Sequence, residues 1–224
     1  MEKHYKNRVR IKHPAGSRYM ADRFVMVSGL AGFPALRVFK EARQMYSLVQ
    51  LVETSEFSTL KHAMNVSKIS GIIGTALGFS DGELHKIRTA AFLHDIGKNR
   101  VPASLLFKPG KLTEEEMKIV RNHPLDGAEI TLQVAGFKEI ATVIKHHHEK
   151  YDGTGYPGRL GGEKIPLFSR IISIADAYDA MVSRRIYSEA KSSREALDEI
   201  HRCSGTQFDP MLVNVFSAVS GYLN

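Results

Sequence analysis

Imidazole and carboxylate groups recur along this chain in an order that suits divalent cations: His62, the adjacent pair His94-Asp95, His123, the run His146-His147-His148, and Asp176. A lone helical histidine is more often packed or solvent-facing than a ligand, so the set carries the argument rather than any one member. Such a nitrogen and oxygen set suits iron, manganese, zinc or nickel and does not choose among them. Cys203 is the only cysteine. Neither an internal disulfide nor a cysteine-rich zinc cluster is therefore available, which fits a reducing compartment.

Position within the surrounding pattern sorts these groups. In a helix beginning near Lys138, His147 shares a face with Ile140, Val143 and Ile144, and His148 with Ala141 and Ile144, whereas His146 lies over Glu139 and Thr142. His147 and His148 are thus expected to point inward. Two buried imidazoles side by side leave ring nitrogens unsatisfied, and a cation removes that penalty. Asp176 follows Ile172 by one turn on a mostly apolar helix, where a carboxylate needs a positive partner. Asp95, at a helix end before Gly97, is placed to bridge two ions.

The elements that must position these groups read as helices. Val38, Ala42, Met45, Val49 and Val52 fall on one stripe. A second helix is expected from Ser58 or Thr59 through Leu60, Ala63, Val66, Ile69 and Ile73, ending at Gly78, where a left-handed cap suits glycine. Ser80 with Glu83, Thr113 with Glu116, and Ser192 with Glu195 have the spacing of capping boxes. Apart from a short alternation at Arg8 to Lys12 there is no strand pattern, so the fold is expected to be all-α. Residues 152–162 break the texture with Gly153, Gly155, Gly158, Gly161, Gly162 and Pro157, and read as a loop immediately after the histidine run.

Bulk properties set the frame. A chain of 224 residues with 43% hydrophobic and 25% charged content is of ordinary globular composition. The formal charge is +7, but residues 1–24 hold seven Lys/Arg against Glu2 and Asp22, a net +5, so the excess sits in a basic arm and a nucleic-acid partner is not expected. The apolar stretch from Phe24 to Leu36 is interrupted by Ser28, Gly29, Gly32 and Pro34; it is too short to span a bilayer and too far from Met1 to read as a signal peptide. No membrane span and a cytoplasmic location are the expectations. The division expected is a basic arm with leading helix or helices over 1–57 and a catalytic domain over 58–224.

The run His94-Asp95-Ile96-Gly97-Lys98, followed downstream by His147-His148-Glu149 and Asp152-Gly153-Thr154-Gly155-Tyr156-Pro157, resembles the HD-GYP family of HD-domain phosphohydrolases. The match extends over about residues 58–216. It includes Lys108-Pro109-Gly110, the segment from Arg170 to Ala180, and Gln207-Phe208-Asp209-Pro210. An HD pair alone is a weak signal; the long second motif is specific.

The resemblance implies an HD-domain helical bundle with the Gly-rich loop over a metal centre that hydrolyses cyclic di-GMP to linear pGpG and onward to GMP. It implies His62, His94, Asp95, His123, His147, His148 and Asp176 as ligands, with iron or manganese first and zinc or nickel next. Asp95 would bridge and, with Lys98, serve catalysis. Lys98, Arg185, Tyr156 and Asp179 would contact substrate, while Glu149 and Asp152 would orient ligands from behind. Family members with three metals carry a Glu one turn before the first histidine; here Ser58 stands there, so two ions are expected. Many members read Asp-Arg-Pro-Tyr where this chain has Arg184-Arg185-Ile186-Tyr187, which points to altered substrate preference.

Two adjacent cations lower the pKa of a bridging water and clamp phosphoryl oxygens, so attack by a metal-bridging hydroxide is the expected mechanism. The partners this implies are a cyclic dinucleotide, a protein that could dock on the Gly-Tyr-Pro loop, and a second copy of the chain as a homodimer. Two other readings remain open in the sequence. One is an HD hydrolase of a nucleoside triphosphate or alarmone; the other is a catalytically weak or silent cyclic-dinucleotide receptor or interaction module.

Overall fold

The computed structural model describes residues 47–52, 60–183 and 190–223, all within one compact unit that runs from Arg43 to Asn224. Residues 47–52 are helical. Nine further α-helices follow among the described residues: α1 (Leu60–Ala76), α2 (Asp81–Leu93), α3 (Ala103–Leu106), α4 (Glu114–Val120), α5 (His123–Leu132), α6 (Lys138–Lys145), α7 (Leu167–Val182), α8 (Ser193–Arg202) and α9 (Pro210–Val219). Short 3-10 turns lie at Ile96–Arg100, Gly162–Lys164 and Ser220–Leu223. The described residues contain no strand, only two isolated bridges, Asp152 with Gly161 and Ser204 with Phe208. None of their helices is long and apolar enough to cross a membrane.

Local signals decide where several helices begin. All three expected capping boxes form: Ser80, Thr113 and Ser192 each accept the backbone N–H three residues on, and Glu83, Glu116 and Glu195 reciprocate. Asp209 caps α9 by accepting from Met211 and Leu212. Gly78, after α1, takes φ +76°, the left-handed conformation expected of a glycine stop. The helix start expected at Ser58 or Thr59, the basic arm and the Arg8 to Lys12 alternation lie outside the described residues.

One apolar core ties the bundle together. Val66, Ile69 and Ile73 of α1, Ile87 and Leu93 of α2, Ile140 and Ile144 of α6, Ile171, Ile172 and Ile174 of α7, and Leu212 and Phe216 of α9 belong to one buried cluster, which Leu48 and Val52 join. Burying a side chain of this size contributes about 1.5–3 kcal/mol relative to exposure. α1 lies against α2 and α7, and α5 against α6 and the 3-10 turn Ile96–Arg100. This arrangement brings the ends of α2 and α6, the start of α5 and the middle of α7 together around α1.

Glycine makes one of these approaches possible. A Cβ on Gly97 would meet the carbonyl oxygen of His123 and the amide of Gly127, so only glycine lets the turn after His94-Asp95 lie flat on α5. Motif residues that do no chemistry serve the same frame. The Arg170 guanidinium pairs with Asp209 and donates to the Ile165 carbonyl, joining α7 to the cap of α9. Lys108 pairs with Glu116 at 2.6 Å, bracing the start of α4.

Candidate metal centre

Four of the five imidazoles, those of His62, His94, His123 and His147, are aimed by what the outer nitrogen holds. His94 Nδ1 lies 2.7 Å from the carbonyl of Ala91, His123 Nδ1 2.9 Å from that of Val120, and His147 Nδ1 2.6 Å from that of Ile144. All three span three residues and use carbonyls in the last turns of α2, α4 and α6, which lack partners within their helices. A carbonyl only accepts, so Nδ1 carries the proton and Nε2 faces inward. His62 is held differently: its Nδ1 meets Asp179 Oδ2 at 2.6 Å, and that carboxylate also accepts from Asn65 at 2.7 Å and Ser183 at 3.2 Å.

The inward atoms converge on Asp95. Its Oδ1 lies 3.3 Å from His123 Nε2, while its Oδ2 lies 3.5 Å from His94 Nε2, 4.0 Å from His62 Nε2 and 2.6 Å from Lys98 Nζ. Asp176 Oδ1 closes the second side, 3.3 Å from His62 Nε2 and 3.9 Å from His94 Nε2. Two overlapping donor groups result, Asp95 with His123, His147 and His148, and Asp95 with His62 and His94, the ligand atoms in each lying within 4.8 Å of one another.

The donor set fits divalent cations on grounds independent of any motif. His94 Nε2 is fully buried with no hydrogen-bond partner, a state that costs free energy unless something accepts its lone pair. Burial lowers the pKa of His94, and burial together with the neighbouring His148 holds His147 well below the usual imidazole range, so both present lone pairs rather than charges at neutral pH. His147 Nε2 faces His123 Nε2 at 3.4 Å. Two opposed nitrogens beside a carboxylate form a cradle for a cation.

The carboxylates stay ionised. Burial opposes this at Asp95, but Lys98, His94 and His123 outweigh it and hold its pKa well below the usual carboxylate range. Burial likewise opposes ionisation of Asp176, and the hydrogen bond from His62 overrides it. At His62 burial disfavours charge, yet the bonds to Asp176 and Asp179 raise its pKa to about 9. His148 goes the other way, to about 4, through burial and the proximity of His123.

The Gly-rich loop is clasped by a single carboxylate. Glu149 accepts from the amides of Gly158 at 2.6 Å and Leu160 at 3.1 Å, with His146 Nδ1 3.3 Å away. Gly155 lies so close to the backbone of Glu149 and Lys150 that no Cβ fits. The loop closes through the Asp152 and Gly161 bridge and the Gly162 amide on the Tyr151 carbonyl at 2.8 Å, while the amides of Tyr151 and Asp152 reach the carbonyls of Gln207 and Thr206. Tyr156 is thereby laid beside His148, ring centroids 5.0 Å apart and planes 30° from parallel.

Matches to known proteins agree with this geometry. The HD-domain family model covers residues 46–212. The cyclic di-GMP phosphodiesterase response regulator RpfG of Xanthomonas campestris is 39% identical over 177 residues, 78% of this chain and 47% of that protein. The chain belongs to the HD-domain family, in its HD-GYP branch. A cyclic di-GMP phosphodiesterase of Vibrio cholerae is 47% identical to this HD-GYP chain over 137 residues, 58% of the chain and 28% of the relative. The crystal structure of a cyclic GMP-AMP specific phosphodiesterase from V. cholerae superposes with a TM-score of 0.60 at 25% identity, covering 79% of this chain and 48% of that one. The HD-GYP chain thus spans half or less of the length of these relatives.

The structure brings together all seven residues expected as ligands, His62, His94, Asp95, His123, His147, His148 and Asp176, and sets Lys98 against Asp95. Three expectations change. Asp179, expected to contact substrate, is buried behind His62 with both oxygens engaged. Glu149 orients the loop's amides rather than a ligand. Asp152 folds onto Thr154, accepting from its amide at 2.9 Å and its hydroxyl at 2.7 Å, as an aspartate at a turn does. The helix expected to carry His147 and His148 ends at Lys145, and the histidines stand in the turn beyond it. His146 turns away from the centre, as its helical face suggests. Arg185 and Ser58 lie outside the described residues. Asn65, which steadies Asp179, had one available signal: it sits three residues after His62 on the same helix face.

Proposed function

We propose that this HD-GYP chain is a metal-dependent phosphodiesterase that hydrolyses a cyclic dinucleotide, cyclic di-GMP first, to linear pGpG. The observation that carries the reading is the division of Asp95 between two donor groups, one oxygen turned to His123 and the other to His94 and His62. That pattern supports two cations sharing a carboxylate. His62, His94, Asp95 and Asp176 would hold one, and Asp95, His123, His147 and His148 the other. Divalent cations bound there would polarise phosphoryl oxygens and lower the pKa of a coordinated water.

The chain's own groups do the rest. Carbonyls behind His94, His123 and His147 fix the tautomer that offers Nε2. Asp179 plays that part for His62, and its negative charge strengthens the imidazole as a donor. Lys98 balances Asp95 and is the positive side chain best placed to meet a phosphate's non-bridging oxygens. Tyr156, fixed by the loop that Glu149 clasps, covers His148 on one side and narrows access by water.

Relatives named for cyclic di-GMP and others named for 3′3′-cGAMP both resemble the chain, the latter including a V. cholerae protein 37% identical over 178 residues. A panel of cyclic di-GMP, 3′3′-cGAMP and cyclic di-AMP, with manganese- or iron-loaded protein and products separated by chromatography, tests the reading. pGpG from cyclic di-GMP at the highest kcat/KM is expected. Binding without product would instead support a silent receptor.

A further inference from the structure

A cyclic dinucleotide carries two phosphodiesters, and a metal centre acts on one at a time. The other needs positive charge at the rim. Several cations are already committed: Lys98 to Asp95, Arg100 to Asp126 and Glu129, Lys108 to Glu116, and Arg170 to Asp209. Arg121 is set apart by its position over the ring that lies beside His148. It is exposed, and no carboxylate among the described residues pairs with it. Its guanidinium carbon lies 5.5 Å from the centre of the Tyr156 ring, which lies 5.0 Å from that of His148.

Arg121 is also firmly mounted. It caps the C-terminus of α4, its amide donating to the Met117 carbonyl at 2.8 Å, and stands two residues before His123. A cation over an aromatic face is attracted only weakly when exposed, enough to bias its position without immobilising it. The planar guanidinium can still present two parallel N–H groups to a phosphate.

We infer that Arg121, steadied on Tyr156 at the edge of the His148 side, binds the phosphodiester that is not being cleaved and so favours substrates carrying two phosphates. This rests on the phosphodiesterase reading. Losing a charge-assisted bond of this kind at an exposed rim corresponds to roughly a tenfold weakening. The loss falls on KM, because the contact is equal in ground and transition states.

The experiment compares manganese-loaded wild type, Arg121→Gln and Arg121→Lys on cyclic di-GMP and on bis(p-nitrophenyl) phosphate, which has a single phosphodiester. Arg121→Gln is expected to raise KM for cyclic di-GMP about tenfold with kcat within twofold, to leave bis(p-nitrophenyl) phosphate turnover unchanged, and to be partly rescued by Arg121→Lys. Equal losses on both substrates, or a fall in metal content, would overturn the inference by showing that Arg121 acts through Tyr156 and His148 on the centre itself. Unchanged KM for both would overturn it too. Wild type that turns over neither substrate would sink the phosphodiesterase reading, a result distinct from any failure of the variant alone.

Discussion

The two halves of the proposed metal centre share Asp95, and each holds an imidazole set by a main-chain carbonyl and kept neutral by burial, but they differ at their remaining histidines. On one side His123 and His147 are held by main-chain carbonyls, and His147 and His148 are kept neutral by burial. On the other, His62 is wedged between Asp176 and Asp179 and carries a proton up to about pH 9. One half is a ready-made lone-pair cradle; the other adds to the lone pair of His94 a salt bridge at His62 that a cation would have to displace. Two sites of similar donor count can therefore differ in order of filling and in proton release because of groups that never touch the ion.

The largest effect should come from the shared group. Asp95→Ala removes a ligand from both halves, so metal content by elemental analysis should fall toward zero and turnover by about 10³-fold or more. Normal turnover with metal retained would break the two-sided description altogether.

Asp179→Asn sharpens the contrast, because it touches only the His62 half. Removing a carboxylate that orients a ligand histidine typically costs 10–100-fold in metal affinity. Titration should show one of two manganese equivalents weakened by about that factor and the other unmoved. Equal weakening of both would mean that the halves are not independent.

Protons distinguish the halves next. Filling the His62 side at pH 7 must expel its Nε2 proton, so that affinity should rise up to tenfold per pH unit until about pH 9, whereas the His147 side should be nearly flat from neutral pH upward. Calorimetry in buffers of different ionisation enthalpy would count the proton. In chelated protein the signs oppose each other. His148, with its pKa lowered to about 4 on folding, contributes stability above pH 6.5 that is lost as pH falls toward 4, on the order of 3 kcal/mol. His62, raised to about 9, contributes stability below pH 6.5 that is lost as pH rises toward 9. Thermal melts should thus peak near neutral pH, and a monotonic profile would contradict the assignment.

The smallest effect lies away from both halves. Ser192→Ala removes the cap of α8 and should destabilise by about 1 kcal/mol, read as a drop of a few degrees in Tm, with metal content unchanged.

What the sequence revealed follows from the range of each interaction. Capping at Ser80, Thr113 and Ser192 closes over three residues, so it was legible residue by residue. The seven proposed ligand positions were legible as a set, through the family motifs and because so many imidazoles and acids in an apolar helical framework call for a cation. Asp179 was misread because its partner stands 117 positions away and because, three residues after Asp176, it shares a helix face with a residue that does face the centre. Glu149 was misread because its amide partners become neighbours only when the loop folds back over nine and eleven residues. The end of α6 at Lys145 was hidden in a helix-compatible run, and it is the His147 ring on the Ile144 carbonyl that completes the terminus.

Those ring-to-carbonyl bonds make α2, α4 and α6 into rulers. Each helix sets, through the phase of its final turn, the compass bearing of the imidazole that follows. One residue added or removed within such a helix swings that bearing by about 100° while leaving an amphipathic helix able to pack. Length variation in this protein should therefore be tolerated in the connections between helices and silencing within these three, even where the bundle survives intact.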